Sequence, residues 1–226
     1  MCSDLSDNMN FRHQLILASS SPRRQFLVGE AGFVFTVLKP DVEEDFPLSM
    51  NAQDVPVFLA SKKADFFKPT DHQVILTADT IVVVDGEILN KPADRNEAIK
   101  MLTTLSGKTH QVFTGVCISS STKRKIFMEE TGVTFRKLKP EEIGYYVDNF
   151  KPFDKAGSYG AQECLPQGIN PCSPDEVAFL AKIGKPGLAD STLESKAIAA
   201  IERINGSYFN VMGLPIHRVY HELNVF

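Results

Sequence analysis

The run Val74–Val84 is the clearest strand in the sequence, because branched apolar side chains dominate it. Asp85-Gly86 follows at once and is typical of a two-residue hairpin turn, so Glu87–Leu89 is the predicted return strand. One ionisable residue, Asp79, interrupts the run. Burying its carboxylate without a partner is costly, which indicates that a cation meets it in the fold. A structural carboxylate that kinks a strand is the alternative interpretation.

Strand-like and helix-like segments alternate along the rest of the chain. Further strands are predicted at Leu15–Ala18, Phe33–Leu38, Val112–Ile118 and Ile126–Leu138. Helices are predicted at Pro22–Ala31, Asp54–Phe67, from Asp94 to a stop at Gly107, and at Pro140–Phe150. This order of elements predicts an α/β fold with a mixed sheet.

Composition limits the kinds of partner. The formal net charge of −4 argues against a nucleic-acid-binding surface but permits a local basic cleft for a small anion. No apolar run has the length of a membrane span, and Met1–Asn10 lacks the apolar segment of an export signal. Residues 1–12 are predicted to form a flexible leader. The four cysteines form no CxxC pair, which favours reduced thiols in the cytoplasm. Neither they nor His217 and His221 have the spacing of a zinc site.

A second constraint is Ser19-Ser20-Ser21-Pro22-Arg23-Arg24, which lies between a predicted strand and a predicted helix. Ser21 has the side-chain oxygen of an N-cap, and Pro22 suits the first helical position. Arginines in a first helical turn oppose the helix dipole by about 0.3–1 kcal/mol each, unless an anion binds there. The pattern therefore predicts a phosphate site, with two arginines merely exposed on a helix surface as the alternative.

Other charged residues extend this prediction. Lys63 on a predicted helix and Lys91 after the hairpin could bind the same polyphosphate. The acidic loop Asp41–Asp45 offers Glu43 or Glu44 as a second carboxylate beside Asp79. Carboxylates, phosphate oxygens and water are the ligands that Mg²⁺ prefers, although acidic loop residues are more often simply solvated.

Taken together, the motifs occur in a fixed order. They are Leu17–Arg24, Glu43-Glu44, Lys63-Ala64, Ala78-Asp79-Thr80, Lys91-Pro92, Leu105–Val112, Asp154–Gly157, Tyr159–Gln162, Ile204–Tyr208 and Gly213-Leu214-Pro215. In this order they resemble the Maf family of nucleotide pyrophosphatases. The resemblance extends from about Leu15 to Leu223, apart from one insertion.

The resemblance implies a fold and an activity. The fold would be an elongated, twisted mixed sheet with flanking helices, forming a single α/β domain over residues 1–226 whose two lobes enclose a central cleft. The activity would be hydrolysis of a nucleoside triphosphate to the monophosphate and pyrophosphate, with Mg²⁺ or Mn²⁺ as the cofactor. A small-molecule nucleotide is the expected ligand of an enzyme that is often a homodimer, and neither nucleic acid nor a membrane is an expected partner.

The resemblance also assigns roles to individual residues. The family's phosphate contacts are matched by Ser19, Arg23, Arg24, Lys63 and Lys91. Asp79 matches the catalytic acceptor, which holds the metal or takes a proton from the attacking water, and Glu44 matches a metal-site carboxylate.

Base specificity is assigned to Arg23, Thr80 and Gln162, and Thr80 with Gln162 resembles the branch acting on dTTP and UTP. The chemistry agrees, because a glutamine amide offers a donor and an acceptor that complement the O4 and N3–H edge of uracil and thymine.

One segment departs from the family pattern, since about 163–203 contains an insertion directly after the glutamine. A helix is predicted at Pro174–Ile183, and a second from about Thr192 to Ile204, where Ser191 and Glu194 form a capping box. The insertion could reshape the base pocket or extend a dimer surface. It therefore bears on base preference more than on the reaction type.

Three functional hypotheses follow. The first is a metal-dependent pyrophosphatase for dTTP, UTP and modified pyrimidine nucleotides. The second keeps the reaction but acts on modified purine nucleotides. The third is a nucleotide-binding regulator of cell division in which turnover is incidental. Retention of both acidic and basic site residues favours the enzymes, because a sensor that lost Glu44 and Asp79 would bind anions better.

Overall fold

The computed structural model describes residues 11–189 and 198–226. Its strands are β1 (Gln14–Leu17), β2 (Phe35–Val37), β3 (Gln73–Val84), β4 (Glu87–Leu89), β5 (Thr109–Ser119), β6 (Arg124–Phe135) and β7 (Ile201–Asn205). The described helices are α1 (Pro22–Glu30), α2 (Val55–Asp65), α3 (Arg95–Leu105), α4 (Pro140–Phe150), α5 (Ala161–Cys164), α6 (Pro174–Lys182), α7 (Tyr208–Met212) and α8 (Ile216–Asn224). Of the predicted leader only Phe11 and Arg12 lie within the described residues, and Phe11 packs edge-on against Phe33 with ring centroids 5.7 Å apart.

The seven strands form one sheet in the order β2-β1-β3-β5-β6-β7, with β4 also paired to β3. β1 is parallel to β2 and β3, whereas β3, β5, β6 and β7 are successively antiparallel. The predicted α/β fold with a mixed sheet is therefore confirmed. The division into two lobes stays a prediction.

One edge of β3 is interrupted. β5 pairs with β3 from Ile75 to Val83. β1 pairs with β3 as far as Leu76, and β4 pairs with β3 from Val82 onward. Because β5 also pairs with Leu76 and Val82, β1 and β4 must lie on the opposite edge of β3 from β5. Between them, residues 77–81 have no strand partner on that edge within the described part of the chain. We call this stretch the notch.

The two faces of β3 contact different helices. Ile81 packs with Leu59 of α2, whereas Val82 packs in the larger core that α1, α3, α4 and α8 help to form. Because side chains alternate along a strand, Asp79 lies on the face covered by α2 and Thr80 on the opposite face. The notch therefore gives access to both faces of the sheet.

Helix α2 approaches the sheet very closely at Gly115, which is the partner of Asp79 on β5. A Cβ atom at this position would lie 2.3 Å from the backbone of Pro56. On the same face, Thr77 Oγ1 donates a hydrogen bond to the Ala60 carbonyl at 2.7 Å. These contacts fix α2 against β3 and β5, with its C-terminal half beside Asp79.

The prediction of a second helix in the insertion is wrong for the residues of that segment that the structure describes. Residues 190–197, including the Ser191 and Glu194 capping box, lie outside the described residues. The end of that predicted helix forms β7 instead, with Ile204 opposite Val133 of β6. The edge of β6 needs a strand to satisfy its backbone groups, and this requirement overrides the local helix pattern. The first predicted helix of the insertion is confirmed as α6.

Candidate active site

The predicted site residues line a single cleft of about 380 Å³ at the notch. All nine are among its lining residues: Ser19, Arg23, Arg24, Glu44, Lys63, Asp79, Thr80, Lys91 and Gln162. Glu43, the alternative carboxylate from the acidic loop, is exposed and is not part of the lining. The cleft therefore brings together residues from β1 to α5 that are far apart in the chain.

The serine-rich turn connects the end of β1 to α1 beside the notch. Ser21 Oγ accepts a hydrogen bond from the Arg24 amide at 3.5 Å, and Pro22 is the first helical residue. The Ser21 amide in turn donates to Ser19 Oγ at 3.3 Å. The predicted N-cap is confirmed, and the turn faces the cleft with the N-terminal end of a helix.

Arg24 is bound by the protein itself. Its Nε donates to the Gly213 carbonyl at 2.8 Å, and Nη1 donates to the Ala78 carbonyl at 2.7 Å. Nη2 donates to Thr80 Oγ1 at 3.0 Å, while Ser19 Oγ lies 3.4 Å from Nη1. Burial lowers the pKa of Arg24. Because these acceptors engage four of the five guanidinium N–H groups, Arg24 builds the wall of the cleft, and its phosphate contact stays a prediction.

Arg23 pairs with a different group of the cleft, the carboxylate of Asp154. Its Nη1 lies 2.9 Å from Asp154 Oδ2, and Oδ1 of the same carboxylate accepts from Lys155 Nζ at 2.8 Å. Burial opposes ionisation of Asp154, but Lys155 and Arg23 outweigh it and lower the pKa of the carboxyl group. Sequence reasoning assigned no role to Asp154 or Lys155. The sequence signal for them is the adjacent pair of opposite charges in the motif Asp154–Gly157.

Lys63 is the cation that meets the carboxylate of β3. Its Nζ lies 2.5 Å from Asp79 Oδ1 and 2.7 Å from Glu44 Oε1. Asp79 and Lys63 are each only 8% exposed. Removing one partner of a buried ion pair leaves an uncompensated charge, at a cost of about 3–5 kcal/mol. The prediction that a cation meets Asp79 is confirmed.

The carboxylate of Glu44 covers this pair from the acidic loop. Lys91 Nζ lies 3.6 Å from Glu44 Oε2. Burial disfavours the ionised form of Glu44, but Lys63 and Lys91 more than offset this effect and lower its pKa. Glu44 is therefore a carboxylate at neutral pH.

These oxygen atoms suit a hard divalent cation. Glu44 and Asp79 share the Lys63 ammonium group, and Asp79 Oδ2 has no hydrogen-bond partner within the described residues. Two carboxylates fit Mg²⁺ or Mn²⁺ when phosphate oxygens and water complete the coordination. Among residues 11–189 and 198–226, no group of three or more acidic, histidine or cysteine side chains forms an all-protein metal site.

Two of the three residues assigned to base specificity, Thr80 and Gln162, lie on the other side of β3. Thr80 Oγ1 is 2.9 Å from Thr114 Oγ1 and 3.3 Å from the Gly213 carbonyl, so protein groups can use its single proton. Gln162 lies on α5, and its buried Oε1 has no hydrogen-bond partner in the described part of the chain. A buried acceptor without a partner is unusual in a protein, and an N–H group of a ligand would satisfy it.

The cleft is positive although the chain is acidic. Three carboxylates line it, together with the cations Arg23, Arg24, Lys39, Lys63, Lys91 and Lys155. Lys39, in the loop after β2, is a further lining residue that sequence reasoning did not single out. An excess of positive charge in a concave site attracts a polyanion.

Comparison with known proteins identifies the family. The family described as Maf-like protein matches residues 14–175, a range that contains all nine predicted site residues. The chain belongs to the Maf family. Members of the Maf family that are pyrophosphatases generally depend on a divalent metal.

Two curated relatives align with nearly the whole of this Maf-family chain, and both are named dTTP/UTP pyrophosphatase. The relative from Porphyromonas gingivalis is 40% identical over 225 residues, which cover 97% of this chain and 97% of the relative. The relative from Phocaeicola vulgatus is 41% identical over 215 residues, which cover 94% and 95%.

A solved structure resembles the Maf-family chain only weakly. The Staphylococcus aureus Ham1 protein has a TM-score of 0.39 and 13% identity, over 54% of this chain and 71% of that one. This similarity is too low to support an argument. In the described ranges, none of the helices is both long enough and apolar enough to span a membrane.

Proposed function

We propose that this Maf-family protein hydrolyses nucleoside triphosphates carrying uracil or thymine to the monophosphate and pyrophosphate, with a bound Mg²⁺ or Mn²⁺. The observation that carries the proposal is the Lys63 ammonium group, which joins Asp79 and Glu44 in a positive cleft beside a helix N-terminus. The names of the two relatives support the same reaction.

The side chains have separate roles in the proposed reaction. Arg23, Lys63 and Lys91 bind the phosphates and stabilise the negative charge that develops on the leaving group. Asp79 accepts a proton from water at Oδ2, while Lys63 holds Oδ1 in place. The water oxygen bonds to the α-phosphorus, the bond from that phosphorus to the bridging oxygen breaks, and pyrophosphate leaves with the electron pair. A divalent cation held by Glu44 and Asp79 would neutralise charge on the phosphate oxygens.

Gln162 reads the base in this proposal. Its Oε1 accepts a hydrogen bond from N3–H, and its amide group donates to O4, so uracil and thymine satisfy both atoms. Cytosine presents a donor in place of O4 and no hydrogen at N3, so its pairing would leave buried polar groups unpaired.

Product analysis tests the proposed reaction. With UTP and Mg²⁺ or Mn²⁺ in water labelled with oxygen-18, we expect uridine monophosphate carrying the label, and unlabelled pyrophosphate. Inorganic phosphate with a nucleoside diphosphate, or label in the pyrophosphate, would contradict attack at the α-phosphorus.

The role of Asp79 is tested in the same assay. Asp79→Asn keeps the size of the side chain but removes its charge, so we expect a loss of rate of about 10²- to 10⁴-fold. Asp45→Asn is the matched control, since Asp45 lies in the acidic loop, pairs with Lys62 and does not line the cleft. A folded, metal-binding Asp79→Asn protein with near-wild-type rate would exclude Asp79 as the catalytic residue.

A nucleotide panel separates the alternatives. Preference for modified purine nucleotides would support the second hypothesis, and tight nucleotide binding without turnover would support a regulator. We also expect a homodimer in the cytoplasm, on the basis of the family resemblance, and light scattering of the purified protein measures the oligomeric state.

A further inference from the structure

A fully buried carboxylate, Glu176, lies within the insertion and outside the cleft. It belongs to the first turn of α6 and closes a capping box with Ser173. The Ser173 amide donates to Glu176 Oε2 at 2.9 Å, and the Glu176 amide donates to Ser173 Oγ at 3.3 Å. A capping box by itself requires neither full burial nor further partners.

The same carboxylate also binds the start of a second helix. Ser207 Oγ and the Phe209 amide donate to Glu176 Oε1 at 2.6 and 2.9 Å. The Tyr208 amide donates to Oε2 at 3.0 Å. Glu176 thus supplies a negative charge and hydrogen-bond acceptors to the N-terminal end of α7. Helix α7 is a single short turn that cannot be stable alone, so its position depends on such tertiary contacts.

The other end of α7 forms a wall of the cleft. Met212 and Gly213 line it, and the Gly213 carbonyl accepts from Arg24 Nε at 2.8 Å and lies 3.3 Å from Thr80 Oγ1. Helix α5, which carries Gln162, also packs against α7. Two of the three residues assigned to base specificity, Thr80 and Gln162, therefore adjoin this helix.

A chain of hydrogen bonds connects the Glu176 carboxylate through α7 to the sheet. Ser207 Oγ, which donates to the carboxylate, accepts from the Asn210 amide at 3.0 Å. The Asn210 carbonyl accepts from Thr114 Oγ1 at 3.3 Å, and Thr114 Oγ1 is 2.9 Å from Thr80 Oγ1. By contrast, Lys63 and the carboxylates assigned to the reaction lie toward α2, on the opposite face of β3.

We propose that Glu176 is a positioning residue for base selectivity, through which the insertion holds α7 and hence Thr80 and the neighbouring Gln162 in place. The inference rests on the proposed function for the identity of the base-binding side. It follows that loss of the Glu176 carboxylate affects the binding and choice of nucleotide more than the chemical step, because the two sets of residues occupy opposite faces of β3.

Glu176→Gln tests this inference. The amide places N–H groups against at least one backbone donor, so α7 loses acceptors while the size of the side chain is kept. We expect KM for UTP to rise, and the ratio of kcat/KM for UTP to that for CTP to fall, by about five- to tenfold each, with kcat for UTP within about twofold of wild type. Asp175→Asn is the matched control, an exposed carboxylate in the same turn of α6. Asp175→Asn should leave KM for UTP and the UTP-to-CTP ratio of kcat/KM unchanged.

If Glu176 contributes only to the stability of the fold, the Glu176→Gln variant gives a different result. A Glu176→Gln protein with a lower Tm, an unchanged KM and an equal loss of kcat for every nucleotide would overturn the proposal. Ser207→Ala removes the 2.6 Å contact from the other side and keeps the test available if Glu176→Gln fails to fold. Its effect should have the same direction, and the double variant should show less than the product of the two single effects. A fully multiplicative double variant would show that the two residues act separately.

Assays of the wild-type protein distinguish failure of the positioning role of Glu176 from failure of the proposed function. Absence of a preference for UTP or dTTP over CTP contradicts the proposed base, and the comparison is then made on the two nucleotides that wild type discriminates best. If wild type hydrolyses none, the proposed function fails, and Kd values for UTP and CTP replace KM. An unchanged Kd ratio in Glu176→Gln would then overturn the positioning role.

Discussion

At the scale of single residues, Gln162 is the group whose unsatisfied atom most directly suggests a ligand. Its Oε1 is buried beside the cleft without a protein partner among the described residues. Leaving a buried acceptor unpaired costs about 1–3 kcal/mol, so a substrate N–H at this position would contribute both affinity and selectivity.

Gln162→Glu should therefore change base preference. The carboxylate can only accept, so it no longer donates to O4 of uracil or thymine, while the amino group of cytosine can still donate to it. We expect kcat/KM for UTP and dTTP to fall by about ten- to a hundredfold, with CTP spared. Lys91→Ala is the comparison, because loss of a phosphate contact should weaken all triphosphates alike. An equal loss of kcat/KM for every nucleotide in Gln162→Glu would assign Gln162 to the phosphate or metal site instead of the base.

Individual residues also show what the sequence could and could not predict. Asp79 was recognisable because a carboxylate is out of place in a strand-forming run. Its contacts with Lys63 and Glu44 depend on how a helix and a loop pack on β3, which no local pattern contains. Arg24 shows the limit most clearly, since the motif predicted a phosphate contact and the structure adds three carbonyl or hydroxyl partners from distant segments, at Ala78, Thr80 and Gly213.

At the scale of elements, the placement of α2 depends on the absence of a side chain at Gly115. A methyl group there would meet the Pro56 backbone at 2.3 Å, and backbone cannot turn aside as a flexible side chain can. Gly115→Ala should lower the free energy of unfolding by about 1–3 kcal/mol or more. It should also lower activity, because α2 carries Lys63 to the carboxylates. Thermal unfolding and UTP turnover measure the two effects.

Gly144 provides the control for this prediction. It lies within α4, and a Cβ atom there would meet nothing within 4 Å. Gly144→Ala should be neutral or stabilise the protein by up to about 1 kcal/mol, since alanine favours a helix. A Gly115→Ala protein with wild-type Tm and turnover would show that α2 can move without consequence.

Elements with their own capping and turn residues were the most predictable from sequence. Helix α4 coincides with its predicted bounds, and Asp94 caps α3 by accepting from the Glu97 amide at 2.9 Å. Strand β7 was not predictable, because its residues read as the end of a helix. Its conformation follows from the edge of β6, which lies about seventy residues earlier in the chain and offers backbone partners only in the folded sheet.

At the scale of the whole molecule, stability should depend on pH through one buried histidine. His110 on β5 is fully buried, and its Nε2 lies 2.8 Å from the Tyr159 hydroxyl group. Burial lowers the pKa of His110 from 6.5 to about 4. Between these values the unfolded chain binds a proton that the folded protein does not, so acidification through this window favours unfolding.

The free energy of unfolding should therefore fall by about 2 kcal/mol from this residue between pH 7 and pH 5, and the loss should level off below pH 4. Urea unfolding at several pH values measures it. His110→Gln should remove this part of the pH dependence, whatever its absolute stability. His72→Gln, at an exposed histidine, should retain it. An unchanged pH profile in His110→Gln would assign the dependence to other groups.

The notch in β3 makes one residue, Arg24, sensitive to amino-acid substitution. Where a continuous sheet would place another strand, the Ala78 carbonyl is satisfied by the guanidinium group of Arg24. The side chain that lines this opening thus also satisfies a backbone group that a neighbouring strand would otherwise pair. A survey of random substitutions would rank Arg24 among the least replaceable positions, even in a descendant that had lost all turnover, because the arginine there takes the place of a missing strand.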